Sequence, residues 1–197
     1  DSCDEAQYVV ITFSEGLPVA LDGEPMSFHD IIIAMNDMAG RHGFGRIDMV
    51  ENRRVGIKSR ETYECPAALA LIMAHRDLES ICLERDLDRE KARFEPRYAE
   101  LIYDGLWFSP LKKAMDSFID SSQEFVTGEV RLHLEPNSCE VTGRRSEHSL
   151  YDYELATYDA EDNFRHEDSA GFVRLWGLSV QTWAARQGTK STDGLSS

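Results

Sequence analysis

The period of the apolar positions changes from two to nearly four along the chain, and these changes outline its elements. β-Branched and aromatic residues fill 6–13 and 17–21, with Ser14-Glu15-Gly16 between the runs and Asp22-Gly23 after them, which predicts an antiparallel hairpin. Ser27 followed by Asp30 signals a helix start, and Phe28, Ile31, Ile32, Met35 and Met38 recur on one face until Gly40. From Gly40 to Pro66 the apolar pieces are short, residues 47–50 and 55–57, and alternate with glycines and charges, so two short strands joined by loops are expected. Pro66 suits a first helical turn. Leu71, Ala74, His75, Leu78 and Cys82 then form one stripe, and the pattern predicts a long helix that runs into RDLDREKARFE and breaks near Pro96.

Tyr98, Leu101 and Ile102 mark another helix. Ser109-Pro110 starts the next, with Leu111, Ala114, Met115, Phe118 and Ile119 toward the core. Strict alternation from Val126 to Leu134, with a turn at Pro136-Asn137 and a strand around Val141, predicts a half-exposed second hairpin. A terminal helix over 169–187 carries Phe172, Leu175, Trp176, Val180 and Trp183 as an apolar stripe across Gly177. The expected class is α+β: an antiparallel sheet built from the two hairpins and the central short strands, packed helices and a carboxy-terminal helical arm. The chain divides into a residual linker at 1–5, a core domain at 6–168, an oligomerisation helix at 169–187 and a disordered polar tail at 188–197.

Composition narrows the partners. With 197 residues, 42% of them hydrophobic, the chain can bury a sizeable core. Thirty-six acidic against 21 basic side chains give a formal charge of -15, which repels phosphate backbones and anionic membrane surfaces and argues against nucleic acid or membrane as partner. Cys3, Cys65, Cys82 and Cys139 lack the close pairs of zinc or redox motifs, so they read as reduced thiols of a cytoplasmic protein without a metal site. No uncharged stretch approaches the ~20 residues of a membrane helix. The opening at Asp1 in place of Met reads as the start of a fragment.

Candidate chemistry concentrates in GRIDMVENRRVGIKSRETYE, residues 45–64, which brings together Arg46, Asp48, Glu51, Asn52, Lys58, Ser59, Arg60, Tyr63 and Glu64. Such polar density on short strands suits recognition of a zwitterion, since carboxylates accept from an ammonium group and cations hold a carboxylate. A solvated, salt-bridged surface loop accounts for the same residues and is the plainer reading of them alone, since charge-rich loops are common and usually inert. His75 on its apolar stripe reads as a hydrogen-bonded core histidine, and His133 and His148 have no ligand-spaced companion. Tyr103, Trp107 and Phe108 are expected in core and subunit contacts, with Asp104 able to line a cleft.

The 45–64 run, YAELIYDGLWFSPLK at 98–112 and GRRSEHSLYDYELATYD at 143–159 together resemble the argininosuccinate synthase pattern, which extends from about Tyr8 to about Arg186. The resemblance implies an enzyme that uses ATP, with magnesium, to join citrulline and aspartate, releasing AMP and pyrophosphate in arginine biosynthesis. It also implies that Glu51 and Tyr63 bind citrulline and that the terminal helix serves a homotetramer; Lys58, Ser59 and Arg60 are secondary candidates that either reach substrate or the missing domain or simply pair on the surface. No SGG-type phosphate loop occurs here, and Gly43-Phe44-Gly45 lacks the companions such a loop needs. The ATP site is therefore expected in a missing nucleotide-binding domain, no catalytic residue is assigned in this chain, and a catalytically silent oligomerisation module is the alternative reading.

Overall fold

A computed structural model of the chain describes residues 5–153 and 166–188. Strands β1 (Gln7–Ser14), β2 (Leu17–Leu21) and β3 (Glu24–Pro25) lead into helix α1 (Phe28–Arg41). After them come β4 (Arg46–Asn52), β5 (Lys58–Glu64), α2 (Pro66–Cys82), α3 (Arg85–Tyr103), α4 (Pro110–Gln123), β6 (Gly128–Glu135) and β7 (Ser138–Arg145). Two further helices, α5 (His166–Trp176) and α6 (Leu178–Gln187), belong to a second compact unit that begins at Asp152. The α+β class is as expected.

The first unit is built on a five-stranded antiparallel sheet in the order β3-β2-β1-β6-β7. Its tight turns follow from residue type. Glu15-Gly16 and Asp22-Gly23 all have positive φ, from 48° to 81°, the requirement of a type I′ turn whose twist matches the strands it joins. Period-two alternation sends Val9, Ile11 and Phe13 of β1, and Val130, Leu132 and Leu134 of β6, to the face covered by α1 and α2. Each such side chain taken from water contributes about 1.5–3 kcal/mol, so this double row is a large part of the cohesion of the core. The opposite sheet face carries Tyr8, Arg131 and His133, with Tyr8 stacked on His133 at 4.3 Å between ring centroids.

The structure corrects three of the expectations. The central strands β4 and β5 do not join the main sheet; among the described residues they pair only with each other, as a separate ribbon. Helix α3 runs through Pro96 without ending, and the break expected there falls at Leu83-Glu84. Leu83 turns extended and buries itself, and the Glu84 carboxylate caps the new helix by accepting from Asp86 N at 2.9 Å and Leu87 N at 3.1 Å. Tyr98, Leu101 and Ile102 thus lie on that same helix. The terminal helix begins at His166 and divides at Gly177, where missing side-chain contacts and high backbone entropy weaken a continuous helix. Phe172, Leu175, Trp176, Val180 and Trp183 remain on these two helices and are exposed in the chain. Residues 1–4 of the expected linker and 189–197 of the expected tail lie outside the described residues.

A polar network knits α2, α3 and α4. Glu79 on α2 is buried and meets Lys91 Nζ of α3 at 3.1 Å, while Lys91 also donates to Glu95 at 2.6 Å. Gln123 at the end of α4 donates to Glu79 at 2.7 Å, and its carbonyl oxygen faces His75 Nε2 at 2.8 Å. His75 is thus a hydrogen-bonded histidine at the edge of the core. Burial alone would lower the pKa of Lys91, yet its bonds to Glu95 and Glu79 prevail and hold it above the ordinary lysine value. Among the described residues no helix is long and apolar enough to cross a membrane.

Candidate functional site

The ribbon β4–β5 leaves the core at Gly45 and returns at Cys65, where Cys65 N donates to Gly45 O at 2.9 Å. Gly45 has φ +108°, and a Cβ there would fall 2.3 Å from Pro66 Cα, so the root requires glycine. Gly43 is similarly committed: φ is +76° and a Cβ would meet the Asn137 side chain at 2.7 Å. Close chain packing explains both glycines.

Antiparallel register places Arg46 opposite Glu64, Ile47 opposite Tyr63 and Glu51 opposite Ser59. Strand alternation therefore gives Glu51, Ser59 and Tyr63 one face of the ribbon, and Lys58 and Arg60 the other. On the shared face the Tyr63 hydroxyl donates to Glu51 Oε1. That bond, together with partial desolvation, raises the pKa of the phenol above its ordinary value, so Tyr63 stays protonated and a donor at neutral pH. Arg53 frames the same face, donating to Ser59 Oγ at 2.8 Å and to Glu61 at 2.5 Å. Its guanidinium holds the Glu61 carboxyl below the usual carboxylate range.

The secondary candidates are already engaged across the strands. Lys58 Nζ donates to Asn52 Oδ1 at 2.6 Å, Ser59 accepts from Arg53, and Arg60 forms a two-pronged pair with Asp48, whose carboxyl is held low by it. These contacts give the ribbon the salt-bridged character that the sequence left open, while the Glu51–Tyr63 bond leaves the second Glu51 oxygen for a ligand.

Beside Glu51 lies a groove of about 550 Å³, walled on one side by Met49, Glu51 and Asn52 and on the other by Ala99, Glu100 and Tyr103 of α3. This volume falls within the range of small-molecule sites. Arg54 bridges the walls, donating from Nε to Asp104 Oδ1 at 2.5 Å and from Nη2 to Oδ2 at 2.7 Å. Sequence reading omitted Arg53 and Arg54 from the polar set because their neighbours in space, Glu61 and Asp104, are set by register and by helix placement. Tyr103, Trp107 and Phe108 are exposed, Phe108 completely, so in this chain they do not belong to the core. Among the described residues no cluster of three or more His, Cys, Asp or Glu could hold a metal ion.

Residues 1–183 match the arginosuccinate synthase C-terminal domain, and the chain belongs to that family. Relatives named argininosuccinate synthase include one from Picosynechococcus sp., 52% identical over 184 residues that cover 93% of this chain and 46% of the relative. The relative from Trichodesmium erythraeum is 50% identical over 186 residues, 94% of this chain and 46% of its own length. The one from Rubrobacter xylanophilus is 53% identical over 181 residues, 92% and 44% respectively. The chain thus spans about half the length of the curated relatives it matches.

Proposed function

We propose that this chain works as the carboxy-terminal part of an argininosuccinate synthase in the cytoplasm, where it contributes citrulline contacts and subunit interface to ATP-dependent ligation of citrulline and aspartate. In that reaction the ureido oxygen of citrulline attacks the α-phosphorus of ATP, expelling pyrophosphate. The aspartate amine then forms a bond to the ureido carbon, AMP leaves, and argininosuccinate remains. ATP and its magnesium are assigned to the nucleotide-binding half, since the glycines at 43 and 45 are occupied by packing. No step of phosphoryl transfer is assigned to residues of this chain.

The observation that carries the reading is the Glu51–Tyr63 bond, with Glu51 lining the groove. With one oxygen fixed by the phenol, the other Glu51 oxygen can accept from the ammonium group of an amino acid, and the protonated phenol fixes the carboxylate's orientation. The exposed aromatic stripe of α5 and α6 supports assembly of subunits, a homotetramer in our reading. The same stripe is what favours the second reading, a module that only oligomerises.

Calorimetric titration of the full-length enzyme with citrulline tests the first reading. Glu51→Gln and Tyr63→Phe are each expected to weaken binding by about tenfold or more, the scale of a lost charge-assisted hydrogen bond. Unchanged affinity in both variants would leave the oligomerisation reading in its place.

A further inference from the structure

The β4–β5 ribbon is anchored to the body at its root, through Cys65 N, Gly45 O and the Pro66 ring, and most of its length is exposed. A two-stranded ribbon is marginal by itself in water, so its free end needs another hold. That end is the turn at 53–57, closed by Arg53 N to Ile57 O at 2.9 Å and Gly56 N to Arg53 O at 2.8 Å. From this turn Arg54 reaches Asp104, fifty positions along the chain, with both prongs of its guanidinium, and its Cζ lies 5.9 Å from the Tyr103 ring centroid. Asp104 is the C-cap of α3, so the contact joins ribbon tip to helix end. Neighbouring carboxylates are engaged elsewhere: Glu100 accepts from Arg97 at 2.6 Å, Glu51 from Tyr63 and Glu61 from Arg53.

Resting on the reading of the groove as a citrulline site, we propose that Arg54 and Asp104 are positioning residues, a clasp that sets how far Glu51 stands from the α3 wall. Two parallel bonds fix angle as well as distance, which a single ammonium contact does not. Without the clasp the ribbon pivots at its root, the ligand-competent spacing is populated for only part of the time, and apparent affinity falls in proportion. For an exposed bidentate pair the expected loss is about three- to fivefold.

The test uses the full-length enzyme with citrulline as probe, in Arg54→Ala, Asp104→Ala, the double variant, and the exchanged pair Arg54→Asp with Asp104→Arg. Each single variant should bind about three- to fivefold more weakly, the double no worse than either, and the exchanged pair close to the parent, with melting temperature unchanged throughout. Hydrogen exchange of the ribbon amides, without ligand, supplies a separate readout: Arg54→Ala should exchange faster by a similar factor. Equal exchange in parent and variant overturns the clasp, as does faster exchange with unaltered citrulline affinity while Glu51→Gln weakens binding. If Glu51→Gln leaves citrulline binding intact, the citrulline reading fails, and the exchange rates alone decide the clasp.

Discussion

Replacing Lys91 by methionine keeps the aliphatic stem between α2 and α3 and removes only the cation. Glu79, 3% exposed, then loses its lysine and keeps the Gln123 amide as donor at 2.7 Å, with His75 Nδ1 at 3.6 Å. Stripping one partner from a buried pair typically costs 3–5 kcal/mol, and the remaining Gln123 bond places this case at the lower end, about 3 kcal/mol. For a chain of this size that corresponds to a fall in melting temperature of roughly 6–12 °C. Urea unfolding at neutral pH measures it, beside a Glu79→Gln/Lys91→Met double variant that should lie within ~1 kcal/mol of the parent, because neither buried charge remains. The pH profile supplies a second signature. Burial alone would raise the Glu95 carboxyl, yet its contacts with Lys91 and Arg76 together prevail and pull it down. Its contribution is therefore present above the ordinary glutamate value of ~4.3 and lost as pH falls through the lower folded value. Lys91, held up by its carboxylates, contributes below ~10.4 and loses that as pH rises through its raised folded value. Lys91→Met should remove the alkaline limb and weaken the acid one, which Arg76, at 3.2 Å from Glu95, still supports in part. A loss below ~1 kcal/mol with the pH dependence intact would refute the reasoning and make the pair an ordinary surface contact.

Gly45→Ala should cost more than ~2 kcal/mol, because the new Cβ meets Pro66 Cα at 2.3 Å and φ is +108°; a thermal melt within ~0.5 kcal/mol of the parent would contradict this. Cys139, whose pKa burial and then Glu140 push up to about 11, should hold only about one thiolate in a thousand at pH 8. Mass spectrometry after brief alkylation should therefore find half-exposed Cys65 modified in the native protein, and Cys139 modified only in urea.

Local pattern carried much of this molecule. The turn residues Glu15-Gly16 and Asp22-Gly23, the alternation of Val9, Ile11 and Phe13, and the serine caps at 27 and 109 act through neighbours a few positions away, so the sequence alone sufficed for them. Glu51 and Tyr63 could be named as candidates by resemblance. Their contact required the register of β4 on β5, which no local signal states. Glu79 is not on the stripe that spacing predicts for α2, and its cation comes from the next helix, in a segment whose charges look solvated. The groove and the Arg54–Asp104 clasp belong to tertiary structure alone. Residues fifty apart meet there because ribbon and helix are placed independently by the core, and a sum of such placements is not encoded in the spacing of any one segment.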